Sequence, residues 1–291
     1  MLDLKLDIPQ EWFNAEVRGD YFVNREKKEI WAYQLDMLYV VQEICKKHNI
    51  QYWVDGGTLL GAIRHNGFIP WDDDIDIMML PEDYDRFLKV AENELDEPYF
   101  LQTDWNDNVY FCHAKIRRSD TTAILAKDVP AKFDFNQGIF IDIFPMDFVP
   151  SDNEDEYRRY VDHMWMIKNE MLLSRSRNWL YERGNEACKS HTDFLRDMFD
   201  SLRRKYFNKT TTVANLSLPT LKKNIRKELS EFEGTLYVPF EMLIVPIPSG
   251  WDSILKRLYG DYMTPVQGGS NHGDVLFDTH VSYKDTSILK K

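Results

Sequence analysis

Asp72, Asp73, Asp74 and Asp76 fall within five residues and run directly into the apolar stretch Ile77-Met78-Met79-Leu80. Like charges this close repel, and the cost rises wherever water is excluded. Such a cluster sits either in full solvent or around a cation, and feeding it into a core strand favours the cation. Read as a strand over 74–80, alternation puts Asp72, Asp74 and Asp76 on one side and Asp73 on the other. Carboxylates at i and i+2 sit about 6–7 Å apart at their Cα atoms, near enough to share one divalent ion. Oxygen ligands suit Mg²⁺ or Mn²⁺, which complete their shells with water and substrate phosphates. A solvated acidic turn is the plain alternative. An EF-hand loop is excluded, because counting from Asp72 there is no glycine at the sixth position and no glutamate at the twelfth.

Asp142 is the second chemical feature, the only charge between Gly138 and Met146. A lone carboxylate in an apolar run must find a cation or hydrogen-bond donors. A metal held by Asp74 and Asp76 on a neighbouring strand would serve, as would backbone N–H groups. Gly56-Gly57-Thr58 precedes a short helix, and N–H groups at a helix start attract anions where glycine lets a phosphate approach. Alone, a Gly-Gly turn is ordinary; just before paired aspartates it becomes a candidate phosphate loop. Lys115 and Arg117 share one face of a strand, and Arg64 lies near the glycine turn, so each has the charge to balance a diphosphate or simply to sit in solvent. His272 lies in a glycine-rich loop over 268–273, and His65 follows Arg64; a structural role is the ordinary one for both. Trp53, Trp71, Trp105 and Tyr110 offer ring faces to a quaternary amine, although core packing is the usual fate of such rings.

These residues need elements to hold them. Apolar residues Ile30, Tyr33, Met37, Val41 and Ile44 recur at helical spacing, which predicts an amphipathic helix over 27–48 with a basic end. The pattern then predicts a strand over 52–54, a turn at 55–58, a helix over 58–65, the acidic strand over 74–80 and a helix over 84–95. Strand-like pieces follow at 99–102, 109–116 and 121–125, and the nearly continuous apolar run 137–145 reads as a central buried strand. Residues 152–208 are charged, helical in pattern and poor in Gly and Pro, and predict two helices. A short helix is expected over 224–229, an extended piece over 243–248 confined by its prolines to a sheet edge, and a helix over 251–258. The first 26 residues and the tail from Asp261 carry little pattern.

The bulk properties limit the function classes. The 291 residues are 43% apolar and 14% aromatic, enough for a sizeable core. A net charge of −12 argues against nucleic acid as a partner. The cysteines, Cys45, Cys112 and Cys188, form no CxxC pair and read as reduced thiols. The N-terminus lacks signal-peptide character, and no apolar run reaches the roughly 20 residues of a membrane span.

Gly56-Gly57-Thr58-Leu59-Leu60-Gly61-Ala62-Ile63-Arg64-His65, followed by Phe68-Ile69-Pro70-Trp71-Asp72-Asp73-Asp74-Ile75-Asp76, closely resembles the LicD family, which includes bacterial phosphocholine transferases and the fukutin-related proteins. The stretches at 115–118, 141–145 and 258–263 match in order, whereas 152–235 matches poorly. Val266 departs from the family, whose members often carry a second proline there. The resemblance implies an α/β (α+β) nucleotidyltransferase-like mixed sheet flanked by helices. It implies one catalytic domain over 1–291, with its core at about 27–150 and 240–275 and a helical insert at about 152–235. It further implies a metal triad of Asp74, Asp76 and Asp142 extended by Asp72, with Mg²⁺ or Mn²⁺, and substrate phosphates held by Gly56, Gly57, Thr58, Arg64, Lys115, Arg117 and His272. The implied reaction is transfer of a phospho-alcohol, commonly phosphocholine from CDP-choline or a related CDP-alcohol, to a hydroxyl of a cell-surface glycan or lipid-linked glycan such as lipopolysaccharide or teichoic acid, releasing CMP. Such an enzyme is expected in the cytoplasm, including the inner face of the membrane. Two other readings stand beside it: a nucleotidyltransferase moving an NMP from an NTP, and a non-catalytic metal- or glycan-binding module.

Overall fold

The structure, a computed structural model, describes residues 2–107, 109–131, 133–180, 186–218, 226–268 and 273–290. A hairpin of β1 (Glu16–Arg18) and β2 (Tyr21–Val23) leads into the long helix α1 (Arg25–His48). Asn24 caps that helix by accepting from the Lys27 N–H at 2.9 Å, and Asn49, left-handed at φ 50°, ends it behind three basic residues. Next come β3 (Trp53–Val54), α2 (Gly56–His65), β4 (Asp76–Met79), α3 (Pro81–Glu94), β5 (Tyr99–Gln102), β6 (Ala114–Arg118), β7 (Thr122–Leu125), β8 (Ile139–Pro145) and β9 (Asp147–Val149). Two helices follow, α4 (Glu154–Leu180) and α5 (Glu186–Arg203). The chain then forms β10 (Thr212–Ala214), β11 (Arg226–Glu228), β12 (Thr235–Phe240), β13 (Leu243–Pro248), α6 (Trp251–Tyr259) and β14 (Val275–Asp278).

The main sheet is mixed, with strand order β3-β4-β8-β6-β5, and the apolar run around Asp142 is its buried centre. β4 and β8 are parallel, and the other neighbours are antiparallel. Register places Asp76 beside Asp142, Asp142 beside Lys115, and Lys115 beside Gln102, one polar row across four strands. Alternation sends Ile77, Ile141, Ile143 and Ile116 to the opposite face, where α1 packs through residues such as Trp31, Leu35 and Leu38. A separate apolar cluster joins α4 and α5 to Tyr110, Cys112 and Val149. The small sheet β11-β10-β9 ties the α4–α5 segment back to the end of β8.

The expected helix over 58–65 and central strand over 137–145 are present, as α2 and β8, with shifted starts. Other expectations are overturned. The strand expected from 109 starts only at Ala114, because Tyr110 and Cys112 are left-handed and the Asp104 carboxylate takes the N–H groups of Phe111 and Cys112 at 2.6 and 2.8 Å. Where a helix was expected over 224–229, residues 226–228 form β11, which pairs with β10. The 243–248 piece pairs with β12 in its own two-stranded hairpin and makes no ladder with the main sheet. The patternless tail contains β14, paired with β7, and the first residues contain the β1–β2 hairpin.

Candidate active site

The site is built where β3 turns into α2 and where the acidic loop enters β4. Asp55 joins β3 to α2, and its backbone N–H donates to the Asp76 carbonyl at 3.0 Å. Thr58 Oγ1 accepts from the Asp76 N–H at 2.9 Å, so the first turn of α2 and the first residue of β4 fix one another. Gly56 is left-handed at φ 53°, and a Cβ there would lie 3.1 Å from Asp76 Oδ2. A Cβ on Gly57 would lie 2.5 Å from Asp72 Oδ2. The two glycines therefore let two carboxylates press against the start of a helix, whose positive dipole end favours anions.

The acidic loop is clamped from α1. The Trp31 indole donates to the Asp72 carbonyl at 3.1 Å, and the Gln34 amide donates to the Asp73 carbonyl at 2.6 Å. Lys27, one turn before Trp31 on the same helix face, supplies positive charge to Asp73, Asp72 and Asp74, although burial lowers its own pKa. The β4 ladder begins only at Asp76, so alternation does not govern the residues before it. Asp72, Asp73 and Asp74 converge, with one carboxylate oxygen of each inside a 4.8 Å span. This corrects the expectation that Asp73 points away.

Asp142 and Asp76 are register neighbours with opposite electrostatics. Lys115 Nζ and His113 Nε2, the latter at 2.8 Å, both bond Asp142 Oδ1. Burial alone would raise the Asp142 pKa, but Lys115 and His113 outweigh it and hold the carboxyl well below its usual range. Burial lowers the His113 pKa to about 4 despite Asp142. Nε2 faces the Asp142 carboxylate at 2.8 Å and Nδ1 faces the Phe111 carbonyl at 3.0 Å, so both ring nitrogens stand opposite acceptors. Asp76 makes no ion pair among the described residues, and burial together with Asp74, Asp142, Asp55 and Asp72 pushes it well above the carboxylate range. Burial, then Asp74 and Asp73, pushes Asp72 up to about 8. A cluster of carboxylate oxygens that carries more negative charge than its lysines balance fits a hard divalent cation, and Mg²⁺ or Mn²⁺ suits that donor set.

The other expected residues fall into two groups. Gly56, Gly57, Thr58, Asp72, Asp74, Asp76, Asp142 and Lys115 meet at this site. Arg117 shares the face but is spent on neighbours, donating to Gln102 Oε1 at 2.5 Å and the Gly138 carbonyl at 2.6 Å. Arg64 donates to the Tyr262 carbonyl at 2.7 Å, binding α2 to the segment after α6. His272 lies outside the described residues. Among the aromatics, Trp53 is core and bonds Thr235, Tyr110 is buried and bonds Asp193, and Trp105 is covered by the Arg196 guanidinium at 3.9 Å. Trp71, half-buried beside Asp72, stands edge-on to Tyr21 and His65.

Sequence reasoning missed Lys27, His113, Tyr259 and Lys227. Tyr259 Oη lies 4.0 Å from the position of a Gly56 Cβ, facing the glycine turn. Lys227 Nζ bonds both Asp55 oxygens, at 2.7 and 2.8 Å, from 172 residues away. For Lys27 and His113 the spacing to neighbouring features gave a faint signal, because Lys27 precedes Trp31 by one helical turn and His113 precedes Lys115 by one strand repeat. Tyr259 lies in the family-matching stretch 258–263, to which sequence reasoning assigned no role, and for Lys227 no local pattern carries the information.

A mixed sheet with a glycine turn before an aspartate-led strand, and a third aspartate on the adjacent parallel strand, defines a nucleotidyltransferase-type domain. The family model described as LicD/FKTN/FKRP, nucleotidyltransferase domain, matches residues 49–198. The chain belongs to this family and is a LicD-type enzyme. It is 31% identical over 243 residues to the lipopolysaccharide cholinephosphotransferase LicD of Haemophilus influenzae, an alignment covering 79% of this chain and 88% of that protein. It is also 47% identical over 45 residues to the ribitol 5-phosphate transferase FKRP of Homo sapiens, covering 16% of this chain and 9% of that one.

Proposed function

We propose that this chain transfers a phospho-alcohol group, phosphocholine from CDP-choline in the first instance, to a hydroxyl of a glycan or lipid-linked glycan and releases CMP. The observation that carries the reading is Asp76: a half-buried carboxylate with no ion pair among the described residues, register-paired with Asp142 and walled by Asp72 and Asp74. Asp74, Asp76, Asp142 and Asp72 would hold Mg²⁺ or Mn²⁺. That ion supplies charge neutralisation of a diphosphate and of the departing CMP. The relatives support the reaction class, since both are named as transferases of a phosphorylated alcohol. No helix among the described residues is long and apolar enough to cross a membrane, so a lipid-linked acceptor would be met at its exposed glycan.

The chain's own groups divide the work. The N–H groups at the start of α2 would donate to phosphate oxygens next to Gly56 and Gly57. Lys115 adds a buried positive charge on the row that crosses the sheet from Asp76. Asp142, held below the usual carboxylate range by Lys115 and His113, would serve as a negative ligand of the ion, the alternative to taking the acceptor's proton. Trp71 offers a ring face beside Asp72, where a trimethylammonium group would meet both an aromatic surface and carboxylate charge.

The test is a panel of CDP-choline, CDP-ethanolamine, CDP-glycerol and CDP-ribitol with a glycan acceptor and Mg²⁺ or Mn²⁺, reading CMP. CMP release that needs the metal, with a phospho-modified acceptor, is expected. Pyrophosphate release from an NTP, with a nucleotidylated acceptor, would replace this reading with nucleotidyl transfer. Metal binding without turnover of any of these donors would leave a binding module.

A further inference from the structure

Asp55 occupies the N-cap position of α2 with the extended backbone that caps adopt, φ −127° and ψ 173°, yet its side chain makes no capping bond. Aspartate is among the strongest N-cap residues because its carboxylate takes the N–H groups of the first turn. Here the carboxylate is turned away and held through both oxygens by Lys227 Nζ, at 2.7 and 2.8 Å, which also lies 3.4 Å from Met78 Sδ. Both members of the pair are buried. Met78 lies two residues beyond Asp76 on the same strand face, so Lys227 sits over the functional face of the sheet. It arrives there on β11, carried by the small sheet that the α4–α5 segment builds against the end of β8.

The consequence is that the Asp55 side chain leaves the first turn of α2 uncapped, while the Asp72 and Asp76 carboxylates lie against its glycines. The Asp55 carbonyl accepts the Leu59 N–H at 3.0 Å, and among the described residues the N–H groups of Gly57 and Thr58 have no partner. A free Asp55 carboxylate would reach those N–H groups and fill the place a phosphate needs. We propose that Lys227 is a positioning residue of the donor site, holding the Asp55 carboxylate away from the first turn of α2 so that its N–H groups stay open to a donor phosphate. This rests on the reading that the donor is a CDP-alcohol whose diphosphate meets that turn. It makes docking of the 147–228 segment part of assembling the donor site.

The test is calorimetric binding of CDP in the presence of Mg²⁺ to the full-length chain, with Mg²⁺ binding alone as the control. Lys227→Met frees a carboxylate to cap its own helix, so CDP affinity should fall by about tenfold or more, the value of a lost charge-assisted hydrogen bond, while Mg²⁺ binds within about twofold of wild type. Lys227→Met with Asp55→Ala removes the competitor and both buried charges, and should return CDP affinity to within about threefold of wild type. A Lys227→Met chain that melts at lower temperature but binds CDP as wild type does has only a structural lysine, and the proposal falls. If Lys227→Met does not fold, the double variant decides alone, and a tenfold loss in it overturns the proposal. If the wild-type chain binds no CDP, the donor assignment fails and takes this inference with it, whereas tight wild-type binding with unaffected variants sinks only Lys227.

Discussion

The two faces of the central sheet both bury charge, and they treat it differently. On the face toward α1, Arg118 is 0% exposed and donates to Asp36 at 3.0 Å, to Asp120 at 2.8 Å and to the Asp3 carbonyl at 2.9 Å, while Tyr99 also donates to Asp36. Arg118 and Asp36 each have a partner of opposite charge, and the cluster stitches the N-terminal segment, α1, β5 and β6 together. On the opposite face, Lys115 and His113 bond Asp142 and Lys227 bonds Asp55, but Asp76 has no ion pair among the described residues, and Asp72 has only the nearby charge of Lys27 against the repulsion of Asp74 and Asp73. A fold selected only for stability would neutralise those carboxylates or replace them with apolar side chains, as the first face shows it can. Asp76, half-buried and without an ion pair among the described residues beside fully paired buried charges, is what sets this face apart and what the proposed donor site rests on.

The sharpest way to break this contrast is to remove one charge from each face. Asp76→Asn should lower kcat/KM for CMP release by about a thousandfold, since it takes away a carboxylate on which charge stabilisation depends. It should also leave the metal-free chain as stable as wild type or more so, because it relieves repulsion. Arg118→Met should do the reverse. It strands Asp36 and Asp120, costs about 3–5 kcal/mol in denaturant unfolding, and leaves the folded fraction turning over at the wild-type rate. An active Asp76→Asn enzyme would remove the basis for the metal assignment, and an Arg118→Met chain of unchanged stability would erase the difference between the faces.

A weaker but independent effect is expected in the pH dependence of stability. Asp72 is raised to about 8 and Asp76 is raised further than its ordinary value, both chiefly by burial. An acid whose folded pKa lies above its unfolded pKa binds more protons in the folded state, so stability falls as pH rises between the two values. The metal-free chain should therefore lose melting temperature from about pH 5 to pH 8, and Mg²⁺ should raise it more at pH 8 than at pH 5. Asp142 has the opposite sign, since its depressed pKa contributes stability above the unfolded carboxylate range that is lost in acid. Asp72→Asn should flatten the slope between pH 5 and 8; a slope unchanged by that substitution would mean that other groups set it.

Much of the functional face was legible because its signals are local. Asp76 and Asp142 stand out as charges against apolar strands, and the glycines stand out beside them, so the sequence located both strands and the turn. The sequence put Asp142 on a strand neighbouring Asp76 without a register; the row of Asp76, Asp142 and Lys115 is set by strand pairing, which no local pattern fixes. The failures have physical reasons. Asp73 was sent to the wrong side because strand alternation was extended into a loop whose shape is set by Trp31 and Gln34. The strand at 109 was overextended because the Asp104 carboxylate competes for backbone N–H groups, which hydrophobic pattern does not register. Lys227 was read inside a helix because residues 226–228 pair with β10, a contact no local window contains. The roles of the glycines were half-read: their permissiveness was plain, but the groups pressing on them are the Asp72 and Asp76 carboxylates.

The smallest effect separates two tryptophans that look alike in the sequence. Trp71 stands beside Asp72 at the functional site, edge-on to Tyr21 and His65. Trp105 is 57% exposed, and its ring already carries the Arg196 guanidinium at 3.9 Å. If the transferred alcohol is a quaternary amine, Trp71→Ala should raise KM for CDP-choline by about five- to tenfold, the worth of one partly desolvated cation–π contact, with little change in kcat. For CDP-glycerol, which has no cation to place on the ring, the same substitution should change KM by about twofold or less. Trp105→Ala should leave both donors within about twofold, because its ring is occupied by a cation of the chain's own. Equal losses for the two donors in Trp71→Ala would show a ring that shapes the loop and does not read the alcohol, and the alcohol would then have to be sought on another wall of the site.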